Sequence, residues 1–219
     1  MERKISLTAA ELYFLGRLMQ AKYIDYSYIS MMNDIERNYR FAESKALDSL
    51  EKKSIISEDF GGDVSVEEDY KKLFDPVFFG RSVASAELLI PIESGNCSFN
   101  KFHYKDGRLT LANITRKRIV FSEYDKRSLE SFLLSIAGNL SEDKEPASPD
   151  EDIVTSPDRV ILLKYTSFGE ESMVIQLNIY KKRLYIIKDK GSYEPISISQ
   201  YIGLGTLILG GELNGTEEH

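Results

Sequence analysis

The chain has 219 residues, of which 42% are apolar and 29% charged, and its net charge is −7. That length and mixture suit a folded protein with a substantial core. The acidic balance argues against polyanionic partners, because phosphate contacts are made by Lys and Arg. The single cysteine, Cys97, excludes an internal disulfide and suits a reducing compartment.

The first residues, Met1-Glu2-Arg3-Lys4-Ile5-Ser6, lead into no apolar signal-peptide core, so the chain reads as cytoplasmic. Thr8 is placed to cap a first helix, with Glu11 completing a capping box and Leu12, Leu15, Leu18 and Met19 on one face. A second short helix is predicted over Ile24–Met32. A third runs from about Asp34 to Lys53, with Ile35, Tyr39, Ala42, Ala46, Leu47 and Leu50 inward. It leads into a short strand at Ile55-Ile56, a Gly61-Gly62 turn and a return strand at Asp63–Val66. Three helices followed by a small hairpin are the order of a winged helix-turn-helix. Val66–Phe74 is read as a further short helix, ended by Asp75-Pro76 because the residue before proline resists the helical region.

Beyond Val77 the period changes. Strands are predicted at Ser82–Ile92, Cys97–Tyr104, Arg108–Thr115 and Lys117–Ser122, followed by a helix over about Tyr124–Leu140. Lys105-Asp106-Gly107-Arg108 carries the Asp-Gly signal of a type I′ hairpin. Ser141–Pro157 reads as a mobile loop, since from Ser141 to Asp158 there are seven acidic residues against one lysine, Lys144. The pattern then starts again: strands at Arg159–Thr166, Met173–Tyr180, Arg183–Lys188 and Ser192–Ile196, then a helix from Ser197 to about Leu209. Val174, Gln176 and Asn178 alternate with Met173, Ile175, Leu177 and Ile179, which predicts one buried and one wet face. The resulting fold class is α+β. An antiparallel sheet from two quasi-repeated halves is flanked by helices, with an N-terminal winged-helix-like segment. The segments are 1–76, 77–140, the loop 141–157, and 158–219, within one compact domain.

Chemistry-bearing patterns are sparse. Residues 1–76 hold 11 Lys and Arg against 15 Asp and Glu, and the hairpin region carries Asp59, Asp63, Glu67, Glu68 and Asp69. Such a wing repels phosphates. Cys97 and His103, six residues apart on one strand, would stand ~20 Å apart, too far for a nucleophile–base pair. The Cys and His clusters of a zinc site are missing. Gly203, Gly205, Gly210 and Gly211 do not spell a phosphate loop and suit close packing or a helix end. Tyr23, Tyr26 and Tyr28 fit an interface and a half-exposed core equally well. The longest apolar stretch, Tyr201–Leu209, is far short of the ~20 residues needed to span a bilayer. The sequence therefore predicts no enzyme, no cofactor, no metal, no nucleic acid and no membrane span.

In order of features the chain resembles the EspG-like secretion chaperones of type VII (ESX) systems. The residues that carry this are Leu7-Thr8-x-x-Glu11-Leu12-x-x-Leu15, then Ala46-Leu47-x-x-Leu50-x-x-Lys53 running into Ile55-Ile56, then Gly62-Asp63-Val64-x-Val66. A short helix leading to Pro76 and two similar sheet-plus-helix halves follow. Ser54 stands where that family often has glycine, so the helix-to-strand turn must form without a residue suited to positive φ. The resemblance implies a central antiparallel sheet, quasi-twofold halves, and a cytosolic chaperone or adaptor that keeps a helical secreted protein or toxin soluble for export. The candidate contact residues are Ile202, Leu204, Leu207 and Ile208 in the C-terminal segment, with Lys105, Asp106 and Gly107 at the hairpin tip. Two other readings stay open: a winged-helix transcription regulator, and an acidic immunity protein that binds and inhibits a toxin.

Overall fold

A computed structural model of the protein describes residues 4–32, 39–89, 98–115, 118–141, 151–167, 172–188 and 192–210. The strands are β1 (Lys4–Leu7), β2 (Ile56–Glu58), β3 (Val64–Val66), β4 (Ser82–Leu89), β5 (Ser98–Lys105), β6 (Arg108–Ile114), β7 (Ile119–Tyr124), β8 (Arg159–Ser167), β9 (Met173–Tyr180), β10 (Arg183–Ile187) and β11 (Tyr193–Ile196). The helices are α1 (Ala9–Leu18), α2 (Tyr26–Ile29), α3 (Tyr39–Lys52), α4 (Glu68–Phe79), α5 (Leu129–Ala137), α6 (Asp152–Thr155) and α7 (Ile198–Leu209).

The fold is α+β. β2 and β3 form a small sheet of their own, and the other nine strands form one sheet in the order β1-β7-β6-β5-β4-β8-β9-β10-β11. Every pairing of described register is antiparallel. The runs β4–β7 and β8–β11 are thus arranged symmetrically about the β4–β8 pair, and each is followed by a helix, α5 or α7. Contacts gather the chain into two compact units. One comprises 1–81 and 103–124, and the other comprises 82–102 and 125–219. These units interleave along the chain, whereas the segments read from sequence follow it in order.

In the first unit, Thr8 caps α1 as predicted: Glu11 N–H donates to Thr8 Oγ1 at 3.2 Å and Thr8 N–H to Glu11 Oε2 at 2.7 Å. Glu11 is almost wholly buried, and its Oε1 also accepts from Lys53 Nζ at 2.7 Å and Ser49 Oγ at 2.5 Å. Lys53 Nζ donates in addition to Ser6 O at 3.0 Å, which ties β1, α1 and α3 together. Burial alone would raise the Glu11 pKa. The hydrogen bonds from Lys53, Ser49 and Thr8, with the Lys53 charge, outweigh it and hold the carboxyl below its usual 4.5. α3 is described from Tyr39; its expected first turn falls on residues 33–38, outside the described ones. Ser54 takes φ +55°, so the turn into β2 forms in the left-handed region at a cost of about 1–2 kcal/mol. The β2–β3 hairpin pairs Ile56 with Val66, and the Asp59 carboxylate accepts from the N–H groups of Gly61 and Asp63 at 2.8 and 2.9 Å.

Two expectations for this unit are corrected. β1 appears in none of the predicted elements, yet it pairs with β7 from Lys4↔Ser122 to Leu7↔Ile119. Its alternation covers only four residues, too few to signal a strand. α4 does not end at Asp75 but continues through Pro76 to Phe79. Proline removes one helical hydrogen bond and crowds the preceding turn. Here Leu73, Phe74, Val77 and Phe78 are all buried in the unit's core, which holds the helix together. Thr110 Oγ1 donates to Leu73 O at 2.8 Å, satisfying a carbonyl next to the disturbed turn.

The second unit buries one face of its strands under α5 and α7. The rows Ala86–Leu163 and Ile161–Leu177 lie on this face and are buried, flanked by the half-buried Leu88 beside Ile161 and Ile175 beside Leu163. Tyr201 OH on α7 donates to Leu133 O on α5 at 2.9 Å. α7 begins at a capping box of Ser197 and Gln200. The acidic stretch is corrected in part. Residues 142–150 lie outside the described ones, but 152–155 form α6, whose Ile153 is fully buried against Tyr180 and Tyr185. Asn178, expected on a wet face, is buried beneath α6 and donates to Ile153 O at 2.7 Å. Burial of Ile153, with hydrogen bonds from Asn178 to Ile153 O and from Tyr180 OH to Asp152, anchors a helical turn in an acidic run.

Candidate partner-binding surface

The C-terminal candidates divide between two sides of α7. Ile208 is only 1% exposed, packed inward with Tyr201, Gly205 and Leu209, so it is core and cannot reach a partner. Ile202 and Leu204 are half-buried, and Leu207 is 40% exposed. Of the four, Leu207 presents the most surface. The helical period explains the split, because Tyr201, Gly205 and Ile208 form one stripe and Leu207 lies off it. Gly205 allows α5 and α7 to approach: a Cβ there would stand 2.5 Å from Leu133 Cδ2.

The hairpin candidates belong to the first unit. Asp106 and Gly107 take φ +48° and +77°, the left-handed pair that a type I′ turn requires. Lys105 folds back onto its own unit, with Nζ 2.9 and 3.0 Å from the two Asp75 carboxylate oxygens and 5.5 Å from the centre of the Phe79 ring. Asp106 is the exposed charge at the tip.

A surface not foreseen lies on the second unit's other sheet face. Cross-strand register sets Glu87, Leu162, Gln176 and Ile187 in one row and Lys164 and Val174 in the next. Leu162, Val174, Gln176, Ile187 and Lys188 line a shallow depression of about 510 Å³. Val174 is 55% exposed, and the Glu87–Lys164 ion pair, at 2.7 Å, crosses the same face. Among the described residues, α6 packs on this face at the end near Asn178 and Tyr185. The sequence signal was the unbroken apolar run Val160-Ile161-Leu162-Leu163, which puts apolar side chains on both faces of β8.

Other sequence candidates fall elsewhere. Cys97 lies outside the described residues. His103 is fully buried, with Nε2 2.6 Å from Tyr28 OH. Burial, and then the Asp25 charge, pushes the Tyr28 hydroxyl well above its usual pKa and that of the half-buried Tyr23 up to about 12. The tyrosine cluster is therefore divided: Tyr28 is core, while Tyr26 is 80% exposed. Just past α3, Lys53 is committed to Glu11 and Ser6. The side of α3 facing the β2–β3 hairpin carries Glu43, Asp48 and Glu51. Among the described residues, no group of three or more His, Cys, Asp or Glu is placed to hold a metal ion. None of their helices is long and apolar enough to cross a membrane.

No family model matches the sequence, and no curated protein does. Among solved structures, the chain is similar to the Mycobacterium tuberculosis type VII secretion system chaperone EspG5, solved in complex with a PE25-PPE41 dimer. The TM-score is 0.63 at 10% identity, over 94% of this chain and 95% of that one. The chain shares the fold of that chaperone over most of its length, on a sequence with little in common.

Proposed function

We propose that the protein is a non-enzymatic chaperone or adaptor of a type VII secretion system, which binds a helical substrate and keeps it soluble for export. The observation that carries this reading is the fold likeness to EspG5 over nearly the whole of both chains. The surface of the second unit adds a physical reason. Its sheet face sets Leu162, Val174 and Ile187 beside the Glu87–Lys164 pair, an apolar patch with a polar border. Such a surface takes the apolar side of an amphipathic helix. His103, locked to Tyr28 in the core, is no accessible acid or base. The acidic side of α3 repels the phosphates that a winged-helix regulator must clasp. We place the protein in the cytoplasm, where a chaperone meets its substrate before export.

Deleting its gene from the native host tests this. Helical secreted proteins should fall in the culture medium and accumulate insoluble inside the cell, and both should recover when the gene is restored. An unchanged set of secreted proteins would rule the proposal out.

A further inference from the structure

The groove between α3 and the β2–β3 hairpin has an apolar floor, Leu47, Ile56 and Val64, and a volume of about 340 Å³. Its walls carry Glu43, Asp48 and Glu51 from α3 and Glu58 from the hairpin, against Arg40 alone. The helical period places them there: Glu43, Leu47 and Glu51 form one stripe, and Arg40, Ser44 and Asp48 the next. Glu43 meets Arg17 at 3.4 Å in an exposed pair. For Asp48, Glu51 and Glu58 no cationic partner is found among the described residues. Like charges gathered along one groove repel one another, and a cation laid between them relieves that repulsion. The carboxylates are spread along the groove instead of converging on a point, so they match cations spaced along a chain and not a single metal ion.

We propose that this groove docks a basic segment of a partner protein, with an apolar side chain seated on Leu47, Ile56 and Val64 and flanking Lys or Arg residues against Asp48, Glu51 and Glu58. The site lies in the first unit. It does not depend on the sheet face or α7 of the second, nor on the secretion role. A second copy of this chain, at net −7, is a poor occupant, and duplex nucleic acid is repelled outright.

The test uses the full-length protein and fluorescence anisotropy. The probe is a short labelled peptide of repeating Lys-Leu-Lys-Ser, and its two controls replace every Leu by Ser or every Lys by Glu. The Lys-Leu peptide should bind, the Leu-free peptide about tenfold more weakly, and the Glu peptide not at all. Asp48→Lys with Glu51→Lys should weaken binding by about tenfold or more. Glu67→Lys with Glu123→Lys, the same charge change outside the groove, should leave it unaltered. Glu58→Lys on the hairpin provides a second reading should the α3 variant lose its circular-dichroism signal. The proposal is overturned by a wild-type protein that ignores the Lys-Leu peptide, by equal weakening in both double variants, or by preferential binding of duplex DNA.

Discussion

Glu11 links the start of α1 to the end of α3 through five groups: the Thr8 N–H and hydroxyl, Ser49, Lys53 and, through Lys53, the Ser6 carbonyl. Its role as a capping residue is readable from the Thr8-x-x-Glu11 spacing alone. Its role as a buried hub is not, because nothing local brings Lys53 to it; 42 residues separate them. A carboxylate held below its usual pKa stabilises the fold fully above its unfolded value of 4.5. That contribution is lost as pH falls through the lower folded value. Glu11→Gln should therefore cost about 1–3 kcal/mol at neutral pH. It should also flatten the loss of stability expected of the wild type below about pH 4.5, with urea titrations at several pH values as the measurement. An unchanged acid limb in the variant would remove Glu11 as its cause. Ser54 and Asp106 are further residues whose backbone state follows from position. Both sit at positive φ, where a turn leaves no alternative, yet only Asp106-Gly107 announces it in sequence.

At the scale of elements, strands were legible wherever period-2 alternation lasted and turn residues bounded it; Met173–Tyr180 is predicted and observed with the same ends. The misses have separate physical causes. β1 is too short to carry a period. α4 survives Pro76 because four buried apolar residues outweigh one lost hydrogen bond. α6 forms in acidic sequence because Ile153 finds a pocket under Tyr180 and Tyr185. Packing against distant residues decided all three. The same contrast separates two glycines of α7. Gly203 faces open space, so Gly203→Ala should stabilise the protein by about 0.5–1 kcal/mol through helix propensity. Gly205 lies against the buried Leu133, so Gly205→Leu should destabilise by about 1–3 kcal/mol. Thermal melts of the two variants decide the matter. Equal effects would mean that α5 and α7 do not pack closely.

For the molecule as a whole, the two-run pattern of strands followed by a helix proved the most legible feature, since it is written in hydrophobic period and not in particular residues. It gives a sheet in which β4 and β8, the first strands of each run, pair over eight residues. The two edge strands are guarded. Lys53 takes up a β1 carbonyl, and β11 carries Pro195, which offers no N–H to a further strand. The contact surface was the least legible. The C-terminal segment reads as one apolar patch, but the helix turns Ile208 into the core and leaves Leu207 outside. The sheet face with Val174 becomes visible only once register aligns the strands. Surfaces depend on what remains uncovered, and that is fixed last.

Retention of a partner by the tagged protein from its native cytosol, at moderate salt and identified by mass spectrometry, tests the central claim most directly. Wild type and Val174→Asp are compared. The account predicts that wild type holds one helical secreted protein in stoichiometric amount and that Val174→Asp, on the exposed sheet face, loses it while keeping its circular-dichroism spectrum. Retention by both proteins of nucleic acid alone, released as salt rises, would contradict it.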